Sequence, residues 1–392
     1  MFLHSRPHIR PIRSQRNNLA PGADAMRKRP RGLRRPALIV AALVGLAMVG
    51  GTLAGAQAAP AALQYKTYKV PSADSQPGFI TVGSDGNLWF TEGRDFFTPN
   101  PDPDTGGTFH SNIGRITPRG DITEFRVDCG CFPHDIVQGP AGVLYFTSND
   151  GLGRITTDGV VQPFIQAPFS VGGNRLAVRG NNIWIGDFNR RSLWRYDVTS
   201  GVFTEFPIAA PAAALFGPSD LAVDSSGRVW FGASGDQNQG VIGRLDPAVR
   251  DKQNTPAPEN VTTFDIAGTT NAPFSVDIAT DSKVWFTQRF NDVVGFLDPV
   301  NGNQIQQFST TPGVQPNQLA AAADGSMWFT QEQLGNAANI TSGGTITQAG
   351  KAVGDDPNSG FENSLGIAVL PGSGRESVWF TMQAANKIAS LT

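Results

Sequence analysis

Three ionisable side chains hold most of the chemical potential of this sequence: Glu92, His134 and Asp187. A histidine changes charge near neutral pH, so His134 suits the task of a general base. One or two carboxylates are the usual protein share of a Mg2+ site, other oxygens completing the octahedron. Glu92 and Asp187 can play that part only if both turn toward His134. The expected site is therefore His134 as catalytic base, with Glu92 and Asp187 as metal ligands and Mg2+ as cofactor. The competing expectation is a hydrogen-bonded histidine between two solvated carboxylates.

The elements that would position these residues are repeats. The stretch GSDGNLWFTE, Gly83 to Glu92, returns in six further variants, centred on Tyr145, Trp184, Trp230, Trp285, Trp328 and Trp379. The mean spacing is about 48 residues, the period of a propeller blade. A turn such as Asp85-Gly86 or Asp324-Gly325 tolerates the positive φ of a tight hairpin. An apolar-Trp-Phe strand follows and ends in Thr and a polar residue. Trp and Phe each bury on the order of 150–250 Å², so the pair reads as core between stacked sheets. Four strands recur per unit: GFITVG, NLWFTE, NIGRITP and ITEFRV in the first. The fold class is all-β, a seven-bladed β-propeller. The last copy ends on KIASLT at Thr392 with no fourth strand, and Leu63 to Val70 has no turn-Trp-Phe strand before it. That N-terminal stretch is predicted to complete the seventh blade, closing the ring and removing exposed edges.

In such a ring, residues just before first strands and just after second strands converge on one mouth of the channel, where ligands bind. Glu92, His134 and Asp187 come from blades 1, 2 and 3 in this register. The insert 93–111, with Phe96 and Phe97, is expected on the same face, as a rim or as a plain surface loop.

Composition narrows the rest. The chain has 392 residues, Lys+Arg 31 against Asp+Glu 33, and a net charge of −2. Much of the positive charge lies in the first 35 residues, leaving an acidic remainder unsuited to nucleic acid. Residues 1–58 read as an export signal, with Met26 an alternative start. Basic residues from Arg27 to Arg35 precede an apolar run from Ala37 to Val49 and Ala-Gln-Ala at 56–58. The apolar run is too short and Gly-rich for a membrane span. The expectation is a single propeller domain over 59–392, secreted or extracytoplasmic, monomeric, with no membrane contact beyond the signal. Its expected partner is a small molecule or peptide at the mouth. Cys129 and Cys131 leave a strained bridge or two free thiols open, and no zinc spacing accompanies them.

The repeat GSDGNLWFTE…NIGRITPRGDITEF resembles that of the virginiamycin B lyase (streptogramin B lyase) family, across essentially the whole exported part. The resemblance implies a seven-bladed propeller. It also implies an activity, in which bound Mg2+ and a histidine open a cyclic depsipeptide by elimination across its ester, without water. The family's motif resembles Glu-x-His-Gly before a first strand, a second Glu directly after that blade's Trp-Phe strand, and a second His from the preceding blade. Phe132-Pro133-His134-Asp135 matches it at His134, which the resemblance makes the general base. Phe132 replaces the first carboxylate, Ser148 the second, and Gly78 stands for the other histidine; His110 lies in the insert. Two functions stay open: a lyase of this kind, and a non-catalytic extracytoplasmic propeller binding a small ligand or protein partner.

Overall fold

The computed structural model describes residues 63–93, 111–127, 132–149, 151–171, 175–208, 217–234, 239–249, 260–268, 272–350, 363–372 and 375–392. The chain divides into two units, Met1–Ala59 and Pro60–Thr392, and the described residues lie in the second. The expected export signal, residues 94–110 of the insert, Cys129 and Cys131 lie outside the described residues.

The repeats fold into seven four-stranded antiparallel sheets. Blade 1 is Pro77–Val82, Leu88–Glu92, Ser111–Ile116 and Ile122–Val127. Blade 2 is Ile136–Gln138, Val143–Ser148, Gly151–Thr156 and Val161–Gln166. Blade 3 is Leu176–Arg179, Asn182–Asp187, Ser192–Asp197 and Val202–Pro207. Blade 4 is Leu221–Val223, Val229–Ser234, Gly240–Leu245 and Val261–Asp265. Blade 5 is Ser275–Ile278, Val284–Gln288, Val293–Asp298 and Gln304–Ser309. Blade 6 is Pro316–Ala321, Met327–Gln331, Asn336–Ile340 and Ile346–Gln348. Blade 7 is Ser364–Leu370, Ser377–Met382, Lys387–Leu391 and, as predicted, the N-terminal strand Tyr65–Lys69. Tyr65 lies opposite Leu391 and Lys69 opposite Lys387. The amides of Gln64 and Thr392 donate to each other's carbonyls at 2.8 and 3.0 Å, joining the two ends of the chain.

The core is a set of seven hydrophobic clusters, one at each blade-to-blade interface. Strand alternation explains the Trp-Phe pair, because successive side chains point to opposite faces. Trp89 joins the cluster with blade 2, while Phe90 joins the cluster with blade 7. Trp285 and Phe286 divide in the same way between blades 6 and 4. Glycine in the third strand makes room for the Phe. Gly114 lies opposite Phe90, and a Cβ there would meet the ring at 2.1 Å; Gly243 and Phe231 repeat this at 2.2 Å.

In blades 1, 5, 6 and 7 the Thr after Trp-Phe fastens the blade to the next. The Thr91 hydroxyl accepts from Phe79 N (3.1 Å) and donates to His134 O in blade 2 (2.9 Å). Thr381 accepts from Gly366 N (2.9 Å) and donates to Gly78 O in blade 1 (2.6 Å). Thr287 and Thr330 do the same for blades 5 to 6 and 6 to 7. In blade 4 the position is Gly232, and the Ser219 hydroxyl takes over, within reach of Gly232 O and Pro273 O. These bonds hold the backbone just before the first strands, which is the mouth of the channel.

Candidate functional site

One residue beyond the stapled position, each blade presents a residue at the same level. The backbone bonds to the second strands define the layer as Phe79, Asp135, Arg175, Asp220, Ser275, Gln318 and Gly366. Arg175 is its hub. Arg175 Nε lies 3.1 Å from Asp220 Oδ1 and 3.6 Å from Asp135 Oδ2. Its Nη2 donates to Gln318 Oε1, and Gln318 Nε2 donates to Asp220 Oδ2 at 3.3 Å. The guanidinium carbon sits 3.8 Å from the ring centre of Phe79, a cation–π contact. Blades 1, 2, 4 and 6 are thus tied to blade 3 through one side chain that crosses the channel. Arg175 is only 7% exposed. A guanidinium so buried demands compensating charge and hydrogen bonds, and the layer supplies both.

The aspartates also fasten blades. Asp135 accepts from Ile136 N (2.9 Å) and Leu176 N of blade 3 (2.7 Å). Asp220 accepts from Leu221 N (2.9 Å) and Val276 N of blade 5 (3.0 Å). Asp277, deeper along blade 5, accepts from Ile278 N (2.8 Å) and Ala321 N of blade 6 (3.0 Å). Burial pushes Asp135 up to about 6, with Arg175 pulling the other way and Asp220 adding to the rise. Burial, opposed by its two amide donors, leaves Asp277 raised to about 6 as well. These groups border a central cavity of about 490 Å³.

His134 stands at the mouth above this layer, half-buried. Its amide donates to Thr147 O at 3.1 Å, and its ring lies 4.8 Å from that of Phe79. His134, Phe79 and Arg175 are therefore one contiguous stack.

Glu92 and Asp187 are elsewhere. Alternation along Leu88–Glu92 puts Glu92 on the same face as Phe90, toward blade 7. It is 3% exposed and accepts from Asn112 Nδ2 at 3.3 Å. Burial raises its carboxyl to about 8, helped by the charge of Glu124 and the hydrogen bond between the two; Asn112 and Ser75 oppose the rise. Glu124 in turn accepts from Ser72 N and Oγ, both at 2.9 Å, and Ser75 donates to Asn386 Oδ1 of blade 7. Glu92 belongs to the joint that closes the ring. Asp187 faces blade 2 by the same alternation, with Ile185. Its Oδ1 accepts from Arg190 N at 3.0 Å, Oδ2 lies 4.0 Å from Arg190 Nε, and burial raises its carboxyl.

The structure therefore does not bring His134, Glu92 and Asp187 together. Among the described residues, no three of His, Cys, Asp and Glu come together in a group able to hold a metal ion. Glu92 is turned into the joint with blade 7 and bonded to Asn112, away from His134, so the residues present do not fit the expected cofactor. The sequence reading missed Asp135, Arg175, Asp220 and Gln318. Each lies one position beyond the mouth residue of its blade, and the period-2 rule applied from Phe90 turns Glu92 away from the axis.

Residues 60–252 match the Virginiamycin B lyase family. The chain is similar to the crystal structure of selenomethionine-substituted virginiamycin B lyase from Staphylococcus aureus. Identity is 22%, the TM-score is 0.65, and the match covers 84% of this chain and 99% of that one. A streptogramin B lyase structure matches at 20% identity and TM-score 0.65, over 84% and 97% of the two chains. The extracellular domain of a two-component system from B. thetaiotaomicron matches at 13% identity and TM-score 0.59, over 84% of this chain and 39% of that one. No curated protein matches the chain. In its repeat over residues 60–252 and in its seven-bladed ring, the chain resembles the virginiamycin B lyase family.

Proposed function

We propose that this chain is an extracytoplasmic binding propeller, taking a small molecule or peptide at the channel mouth without Mg2+-assisted elimination. The observation that carries this reading is the placement of Glu92. The carboxylate nearest in sequence register to a metal role is folded into the joint of blades 1 and 7, raised to about 8 beside Glu124. His134 alone then remains of the family's motif, with Phe132, Ser148 and Gly78 at the other positions. A base without a Lewis acid lacks the stabilisation that a developing enolate or carboxylate needs. What remains at the mouth suits holding a ligand: the half-buried His134 ring on Phe79, over the Arg175 layer.

A solved relative, a catalytically inactive histidine-to-alanine variant of virginiamycin B lyase, carries quinupristin. That compound is therefore a natural first probe for this chain. The metal question is tested apart from any ligand by thermal unfolding across a Mg2+ series. A metal at 100-fold over its Kd stabilises by about 2.7 kcal/mol. The expected result is no saturable stabilisation by Mg2+. Saturable stabilisation that disappears in Glu92→Gln or His134→Ala would overturn the reading.

A further inference from the structure

The channel beneath the Arg175 layer has a chemistry of its own. The guanidinium crosses the lumen from blade 3 to Gln318 in blade 6, so it stands between the mouth and the space below. The cavity of about 490 Å³ is within the range of small-molecule sites. Two positions deeper along the first strands its wall is mostly small and apolar, Val137, Ala177, Ala222, Ala320 and Ala368, with Thr81 in blade 1. Blade 5 breaks the pattern with Asp277, which is half-buried and borders the cavity.

Charge inside the lumen is uneven. Asp135 and Asp220 lie beside Arg175, at 3.6 and 3.1 Å. Asp277 bonds only to the amides of Ile278 and Ala321, and among the described residues no cationic side chain forms an ion pair with it. A carboxylate partly desolvated in a lumen without a cation is disfavoured, and it is relieved by a proton or by a bound cation. The three aspartates do not form a group able to hold a metal ion. The cavity that Asp277 borders is lined below the Arg175 layer mainly by aliphatic residues, which favours a cation with an apolar body.

We propose that the lumen beneath Arg175 binds a small primary amine, its ammonium group on Asp277 and its apolar body against the alanine wall. This site is separate from the mouth, and it stands or falls independently of the reading given for His134. Protonation of Asp277 below about pH 6 would weaken it.

The test uses the full exported chain, n-butylammonium chloride as probe and n-butanol as its neutral counterpart, at ionic strength held constant with NaCl. Saturation-transfer NMR and thermal unfolding report binding. The expected result is saturable binding of n-butylammonium, none of n-butanol, and no equivalent stabilisation by Na+. Asp277→Asn should weaken amine binding at least tenfold. Ala177→Leu, which narrows the lumen and leaves the carboxylate, should do the same and decides the matter if Asp277→Asn does not fold. No binding by the wild-type chain, equal binding of butanol, or affinity unchanged in the folded variants would overturn the proposal.

Discussion

Arg175 of blade 3 and Gln318 of blade 6 meet across the axis of the ring by a direct side-chain hydrogen bond. Asp220 accepts from both, at 3.1 Å from Arg175 Nε and 3.3 Å from Gln318 Nε2. Asp220→Ala leaves a buried guanidinium with Asp135, at 3.6 Å, as its one remaining carboxylate partner among the described residues. Breaking a buried pair in this way costs about 3–5 kcal/mol. Gln318→Ala removes neutral partners and should cost about 1–3 kcal/mol. Urea unfolding of the two variants measures the difference, and equal losses would show that Arg175 is not the hub.

The Glu92 carboxyl gives the ring closure a pH dependence. The folded protein holds its proton up to about 8, against an ordinary value of 4.5. Its contribution is intact below the ordinary value and is lost as pH rises toward and through about 8. Glu92→Gln stays neutral throughout. The stability curves of wild type and variant should therefore run parallel below pH 4.5 and separate above it. By pH 9 the variant should be favoured on the order of a few kcal/mol relative to the acid limit. Asp135 and Asp277 are raised in the same direction, but their slopes are common to both proteins. Chemical unfolding from pH 4 to 9 is the measurement, and parallel curves throughout would rule out the buried, protonated Glu92.

The threonine staple predicts a local cost. Thr381→Val keeps the shape but leaves Gly366 N and Gly78 O without their partner. The expected loss is about 1–3 kcal/mol. Hydrogen exchange should show increased opening in blades 7 and 1 and little change at blade 4, where Ser219 makes the corresponding contacts.

Glycine size matters where the Phe lies. Gly114→Ala puts a Cβ 2.1 Å from the Phe90 ring, and overpacking of this kind costs about 1–3 kcal/mol. Gly350 has nothing within 4 Å of a Cβ, so Gly350→Ala should be neutral or stabilising by about 0.4–1 kcal/mol. Melting temperatures of the two variants should move in opposite directions or differ clearly.

The ring was legible in the sequence because its signal is repeated and local. The turn, the Trp-Phe strand and the missing fourth strand after KIASLT led directly to the pairing of Tyr65–Lys69 with Lys387–Leu391. The site was less legible because it is made once, from unequal residues. Nothing in the repeat marks Arg175, and its partners Asp135, Asp220 and Gln318 come from three other blades. Chain position alone puts Glu92 at the mouth, whereas strand alternation puts it on the Phe90 face, in the joint of blades 1 and 7.

The most direct measurement follows quinupristin incubated with the purified chain and Mg2+ by reversed-phase chromatography with mass detection. Elimination opens a ring without gain or loss of atoms, so its product is a new peak of unchanged mass. The binding reading predicts the starting peak alone, with or without chelator. A new peak of unchanged mass that vanishes with chelator and in the His134→Ala variant would contradict it.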